Sequence, residues 1–494
     1  MLDNYILIGW SEVSITPDRP ISLLGQLYYR ISSHVHDPIY ATALALQRED
    51  EQCIMVSLDM ALLPSPITEK LQAAIDGIEG IDARKVTFSA THTHNSTLFT
   101  TDVFRTILTG VLGEERMLIP EKPDDLMSAG EAEEFFIGKI TGLILTAWRN
   151  RRPGGISYAS DYAAIGFNRR PVFADGKGNE ESRMYGDCSQ ENFLRFEGTV
   201  DHTIDMLYTW DADRELTGVV VDVPCPSQVY ELHRFISADY WGPARNQLRE
   251  KLGNIYVLSI CGAAGDQNPL DLVRLSKINR QELVDWNAQV GEVHRNINME
   301  EECRLIGERI SEAVVRGYRK AKNYIQIEPV FRHRSFRMAL PIRKVSEQDY
   351  LEACREIEEA KSRFSPEQRM SSADQVALFE PVGVVGRWEL QQNSDKFAFQ
   401  TNIIRLGDVA IATNPFELFV EYGLRIRARS RAEQVFICQL TNGRGGYLPT
   451  QAAIVGGSYS SKPASTIVGP DSGDELVERT IKEINKLWEQ GLKS

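Results

Sequence analysis

Two kinds of apolar stretch recur along this chain. Short runs that are apolar almost throughout read as strands buried on both faces: CIMVSLDMALL (53–63), KVTFSA (85–90), LTGVVVDVP (216–224), NIYVLSICG (254–262) and QVFICQL (434–440). Longer stretches with apolar residues three and four apart read as amphipathic helices: ITEKLQAAIDGI (67–78), EAEEFFIGKITGLILTAWRNR (131–151), DYWGPARNQLREKLG (239–253), EECRLIGERISEAVVRGYRKA (301–321) and SGDELVERTIKEINKLWEQ (472–490). FQTNIIRLGDVAIATNP (399–415) reads as a hairpin turning at Gly407-Asp408, followed by a helix over FELFVEYGLRIRARS (416–430). Strands alternating with helices predict an α/β fold, or a mixed α+β layered one. There are no repeats and no low-complexity linker. The polar stretches 112–132, 172–192 and 363–377 read as excursions from a single domain spanning 1–494.

Composition narrows the function classes. The chain has 494 residues and a formal net charge of −14, which disfavours nucleic acid and anionic membrane surfaces as partners. No apolar run reaches the length of a membrane span, and the N-terminus has neither a basic n-region nor a long apolar h-region. The seven cysteines are scattered, with no Cys-x-x-Cys pair, which suits free thiols in a reducing, cytoplasmic setting. The expected partner is a small-molecule substrate, and the oligomeric state stays open.

The candidate chemistry begins at THTH (91–94). A strand alternates its faces with period two, so His92 and His94 are expected to point the same way at the end of KVTFSA. Two imidazoles on one face suit a metal ion, or one ligand beside one proton carrier; a plain hydrogen-bonded pair is the competing reading. Four more strand-to-loop junctions carry polar or turn residues: PCPSQ (224–228), GAAGDQNP (262–269), NPFE (414–417) and TNGRGGYLPT (441–450). Ligand sites in open α/β sheets gather beyond strand C-termini.

These motifs, with IGWSEVSITPD (8–18), HVHDPIYATALAL (34–46), GFNRRP (166–171), EGTVDH (197–202) and ASTIVGPDSGDELVE (464–478), run in family order. On them the chain resembles the neutral/alkaline ceramidase superfamily, the non-lysosomal zinc-dependent amidases, as a divergent member without the C-terminal β-sandwich domain. The resemblance implies a single ceramidase-like hydrolase domain with a metal site at strand C-termini. It implies Zn²⁺ held by His92, Glu417 and Tyr447, with Cys225 where the family has its second histidine ligand. His94 or His233 are the alternatives to Cys225. It also implies Arg169 as oxyanion or anion partner; His94, on the same strand face as His92, is the candidate proton carrier, and Asp266 and Asn268, the latter able to donate to a substrate oxygen, are further candidate catalytic residues. Asn268 stands where ceramidases carry a serine, so a serine nucleophile at that position is excluded, whereas attack by metal-activated water is not. The expected activity is hydrolysis of an amide (N-acyl) bond in a soluble polar substrate. The alternatives are an ester or glycoside hydrolase acting on a carbohydrate derivative, or a non-catalytic homologue that binds a small molecule.

Overall fold

The computed structural model describes residues 5–99, 123–277, 298–364 and 370–489. An eight-stranded sheet runs in the order Tyr256–Cys261, Leu216–Val223, Thr203–Asp211, Arg152–Tyr162, Ile6–Ser14, Tyr40–Arg48, Glu51–Leu58 and Val86–Ala90. A four-stranded sheet follows the order Phe331–Pro341, Lys396–Leu406, Val409–Thr413 and Gln434–Cys438. The two sheets pack face to face and helices cover their outer faces.

The side-chain alternation shows why. In Leu216–Val223, Val219, Val221 and Val223 face the core shared with helices Trp241–Leu252 and Met299–Ala321, while Val220 faces the small sheet. In Val409–Thr413, Val409 and Ile411 meet the large sheet, and Ala410 and Ala412 meet helices Val420–Arg429 and Pro470–Glu489. Both faces are buried, so these strands are apolar throughout. The helix Ala129–Arg149 starts where Ser128 and Glu131 form a reciprocal capping box.

The topology departs from simple alternation. Only the outermost pairs of the large sheet are parallel, and its interior pairs are antiparallel. Val86–Ala90 therefore runs opposite to Leu216–Val223, and one parallel edge cannot gather the functional loops. Twist does so instead. The sheet coils until Trp10 stacks on Tyr256 at 5.5 Å between ring centroids and Ser57 Oγ donates to the Ser259 carbonyl at 2.6 Å. The polar stretch 172–192 contributes to a small sheet of Pro171–Ala174, Glu180–Ser182 and Phe193–Phe196. Residues 129–132 of the first polar stretch open a helix and 372–377 of the last form one. Residues 112–122 and 365–369 of those stretches lie outside the described residues.

One buried carboxyl between the sheets has a measurable consequence. Asp222 is fully buried, accepts from the Ile437 N–H at 3.1 Å, and lies 3.6 Å from Arg427. Burial pushes its pKa up to about 8, against the pull of Arg427. An unfolded Asp titrates near 3.9, so between about pH 4 and pH 8 the folded state holds the extra proton and stability falls as pH rises. Asp222→Asn is expected to gain on the parent as pH rises, with a much larger stability difference at pH 8 than at pH 5. Urea denaturation at the two pH values checks this; an equal difference at both would contradict it.

Candidate functional site

Five loops meet where the sheet coils. The Ser227 N–H donates to the Thr91 carbonyl at 3.4 Å, Leu440 to Phe416 at 3.2 Å, Glu417 to Gly446 at 2.9 Å and Gly265 to Leu418 at 2.8 Å. Gly265 is required by this approach, because a Cβ there would lie 2.3 Å from the Glu417 carbonyl oxygen.

His92 is placed by its backbone. The strand ends at Ala90, and His92 sits at φ 65° in the left-handed region, with its N–H on the Met60 carbonyl at 2.8 Å. The expectation that strand alternation aligns His92 with His94 is therefore corrected. The two rings do meet, with Nε2 atoms 3.4 Å apart, but a left-handed turn brings them together. A non-glycine residue held at positive φ marks stored strain of the kind that clusters at functional sites. His92 Nδ1 bonds to the Ala61 carbonyl. A carbonyl only accepts, so Nδ1 carries a proton whether the ring is neutral or charged. Nε2 lies 3.5 Å from Glu417 Oε2.

His94 is framed on several sides. Its ring and backbone touch Gly25 (φ 113°), where an added Cβ would come within 2.7 Å of His94 atoms. Its carbonyl accepts from Arg30 at 2.6 Å. The same buried guanidinium donates to the carbonyls of Leu24, Glu231 and His233, stitching three segments together. His94 Nδ1 lies 3.4 Å from Glu231 Oε2, and the Gln228 amide nitrogen is 2.8 Å from His94 Nε2. Burial lowers the His94 pKa to about 4, outweighing the pull of Glu231.

Glu417 is not the first-turn acid of a helix. It pairs with Tyr447 in a two-residue parallel ladder, and the helix begins only at Val420. Burial alone would raise its pKa. Hydrogen bonding and charge from His92, a hydrogen bond from Tyr447 and the charge of Arg169 overcome this and hold it at about 2. Burial, reinforced by Glu417, pushes the Tyr447 phenol well above its usual range. Arg169 lies over the Tyr447 ring at 5.2 Å and donates to the Gly265 carbonyl at 3.0 Å. Asn268 donates to the Tyr185 hydroxyl at 2.8 Å, and its buried Oδ1 has no hydrogen-bond partner among the described residues. Asp266 accepts from the Val420 N–H with one oxygen and from Asn168 with the other, both at 2.9 Å. Its carboxylate thus anchors the start of the helix Val420–Arg429.

Cys225 keeps different company. It is fully buried, with Sγ 3.5 Å from the Pro226 carbonyl, and Tyr240 and Cys261 donate to its own carbonyl. Burial pushes its thiol well above the ordinary value. His233 stacks on Phe235 at the surface, 4.6 Å between centroids. The histidine brought against His92 is His94. Among the described residues, no three His, Cys, Asp or Glu side chains form a metal-holding group by themselves; the remaining oxygen donor beside His92 and Glu417 is phenolic. Sequence reasoning missed Arg30, Gln228, Glu231 and Tyr185. Gln228 closes the PCPSQ motif and Glu231 follows three residues later, and that position was the available signal.

This architecture is a neutral-ceramidase-like fold. It matches the crystal structure of neutral ceramidase from Pseudomonas aeruginosa with a TM-score of 0.68 and 16% identity, over 98% of this chain and 75% of that one. It matches a ceramidase complexed with C2 with a TM-score of 0.66 and 14% identity, over 98% and 76% of the two chains. No protein-family model matches the sequence, and no curated protein matches it significantly. At these identities the likeness is one of fold.

Proposed function

We propose that the protein is a metal-dependent hydrolase that cleaves an amide bond in a small, soluble, polar substrate, with zinc as the metal. The observation that carries this reading is the arrangement of His92, His94, Glu417, Tyr447 and Arg169 in a neutral-ceramidase-like fold.

The donor set supports a zinc ion held by His92, Glu417 and Tyr447. His92 Nε2 and a Glu417 oxygen face each other at 3.5 Å, and hydrogen bonding and charge from His92 help keep that carboxylate ionised; a bound metal cation would take the place of the proton between them. Imidazole nitrogen, carboxylate oxygen and phenolate oxygen are donors that would suit zinc. The Ala61 carbonyl fixes the His92 tautomer, as partners of metal-binding histidines do. Three protein ligands are the usual number at a catalytic zinc, which keeps one position open. Bound there, the ion supplies a Lewis acid and lowers the pKa of water towards roughly 7.

The chain's own groups supply the rest. His94, kept neutral at pH 7 by burial, takes a proton from water at Nε2 when that water displaces the Gln228 amide nitrogen now 2.8 Å away, and returns it to the leaving amine. Arg169 offers positive charge to the oxygen of the scissile carbonyl, and the unpartnered Asn268 Oδ1 accepts a hydrogen bond from the substrate. Asp266 acts as a positioning residue through Val420 and Asn168.

Cys225 has no place in this shell. Cys225→Ala is expected to retain zinc at the parental affinity, read by competition with a chromogenic chelator; a drop of tenfold or more would return the thiolate to the ligand set. A panel of N-acyl amides, esters and glycosides, assayed with zinc-replete protein, tests the function. Amide turnover that a chelator abolishes and zinc restores is the expected result. Tight binding with no turnover of any class would instead identify a binding protein on this scaffold.

A further inference from the structure

We infer that Glu231 is a positioning residue for His94: its carboxylate accepts the Nδ1–H of the imidazole and so turns the Nε2 lone pair towards His92 and Glu417. The inference rests on the metal-hydrolase reading above and adds a residue that reading does not require.

The argument starts from burial. Glu231 is 5% exposed and His94 is 9% exposed, so neither side chain has water enough to satisfy it. Glu231 Oε2 lies 3.4 Å from His94 Nδ1, 3.2 Å from the Gln228 amide nitrogen and 3.4 Å from the Gln26 amide nitrogen. All three contacts come from groups able to donate, and they converge on one carboxylate oxygen. The distance to His94 is long for a hydrogen bond, as such bonds often are before substrate binds. The same Gln228 nitrogen, a donor only, lies 2.8 Å from His94 Nε2 and 3.1 Å from Nδ1, so it can bond to an Nε2 lone pair but cannot accept a His94 proton. The backbone on both sides is fixed independently of this contact. Arg30 holds the carbonyls of His94 and Glu231 at 2.6 and 2.9 Å, and Gly25 abuts the His94 ring.

The tautomer decides what His94 can do. A free imidazole favours the Nε2–H form, which would aim a proton rather than a lone pair at the reacting centre. His92 Nε2 is the nearby group that could accept that proton in the absence of metal, at 3.4 Å. Once His92 holds the ion its lone pair is engaged, and the neighbouring acceptor for a His94 proton is Glu231 at Nδ1. A carboxylate on the far nitrogen fixes both tautomer and ring orientation.

The test is ¹⁵N NMR of histidine-labelled, zinc-loaded full-length protein, with the His94 signals assigned by their loss in His94→Gln. The expected spectrum shows His94 in the Nδ1–H form. Glu231→Leu should lose that form, and Glu231→Asp should retain it. Circular dichroism of each variant confirms that it is folded, and the aspartate variant keeps the test open should the leucine variant fail to fold. A His94 in the Nε2–H form in the parent, or one unmoved in folded Glu231→Leu, overturns the role of Glu231. A spectrum in which zinc shifts no His92 signal overturns the metal reading instead, so the two failures are distinguishable.

Discussion

Arg245→Met is expected to destabilise the protein by about 3–5 kcal/mol, the cost of leaving a buried charge without its partner. Arg245 and Asp59 form a two-pronged pair at 2.6 and 2.8 Å, with side chains 3% and 0% exposed. Asp59 also accepts the Tyr40 N–H at 2.8 Å. The substitution leaves Asp59 ionised or forces it to take up a proton, and both are costly in the interior. The effect reaches the site, because Asp59 precedes Met60 and Ala61, whose carbonyls hold His92. Pairing Arg245→Met with Asp59→Asn removes both charges and should recover part of the loss. Urea titration of the parent, the single variant and the double variant measures this. A single-variant loss below about 1 kcal/mol, typical of an exposed pair, would contradict it.

Glu417→Gln is expected to abolish metal binding and turnover while leaving the fold intact. Glutamine preserves the backbone ladder with Tyr447 and the shape of the side chain, but it removes the anion that faces His92 at 3.5 Å. A neutral amide is a poor ligand for zinc beside imidazole and carboxylate donors. Stability should change little or rise, since a buried carboxylate is replaced by a neutral group. Zinc content and a thermal melt on the same preparation separate the two effects. Retained metal with lost activity would move Glu417 out of the shell and into the chemistry.

Much of this arrangement was legible in the sequence, for identifiable reasons. Strands buried on both faces, such as Leu216–Val223 and Gln434–Cys438, show as unbroken apolar runs. The turn at Gly407 and the helix stop at Gly253 carry the residue their positive φ demands. The antiparallel strands were harder to see. Phe331–Pro341 (FRHRSFRMALP) carries three arginines and a histidine on a strand with several exposed positions, and Arg152–Tyr162 opens with Arg-Pro-Gly-Gly. Neither has the clean period of a half-buried strand.

The site divided in the same way. His92, Glu417 and Tyr447 stood out because each followed or lay near an apolar run in a recognisable motif. Cys225 was placed by its motif position; in the fold its Sγ lies 3.5 Å from the Pro226 carbonyl, and Tyr240 and Cys261 donate to its own carbonyl. Arg30 was invisible because its work is done on four backbone carbonyls, among them those of residues 201 and 203 positions distant. Glu231 was missed because nothing in its local pattern separates a buried carboxylate from a solvated one. Only the tertiary approach of residues 25–30 and 92–95 makes it part of the site.

The central claim is that His92, Glu417 and Tyr447 hold one catalytic metal ion. Elemental analysis of protein purified without added metal tests it most directly, followed by zinc titration of the chelator-treated protein. The account predicts about one zinc per chain, as expected for a catalytic zinc site, with binding lost in His92→Ala and Glu417→Gln. A parent protein that carries no metal and takes up none on titration would contradict it.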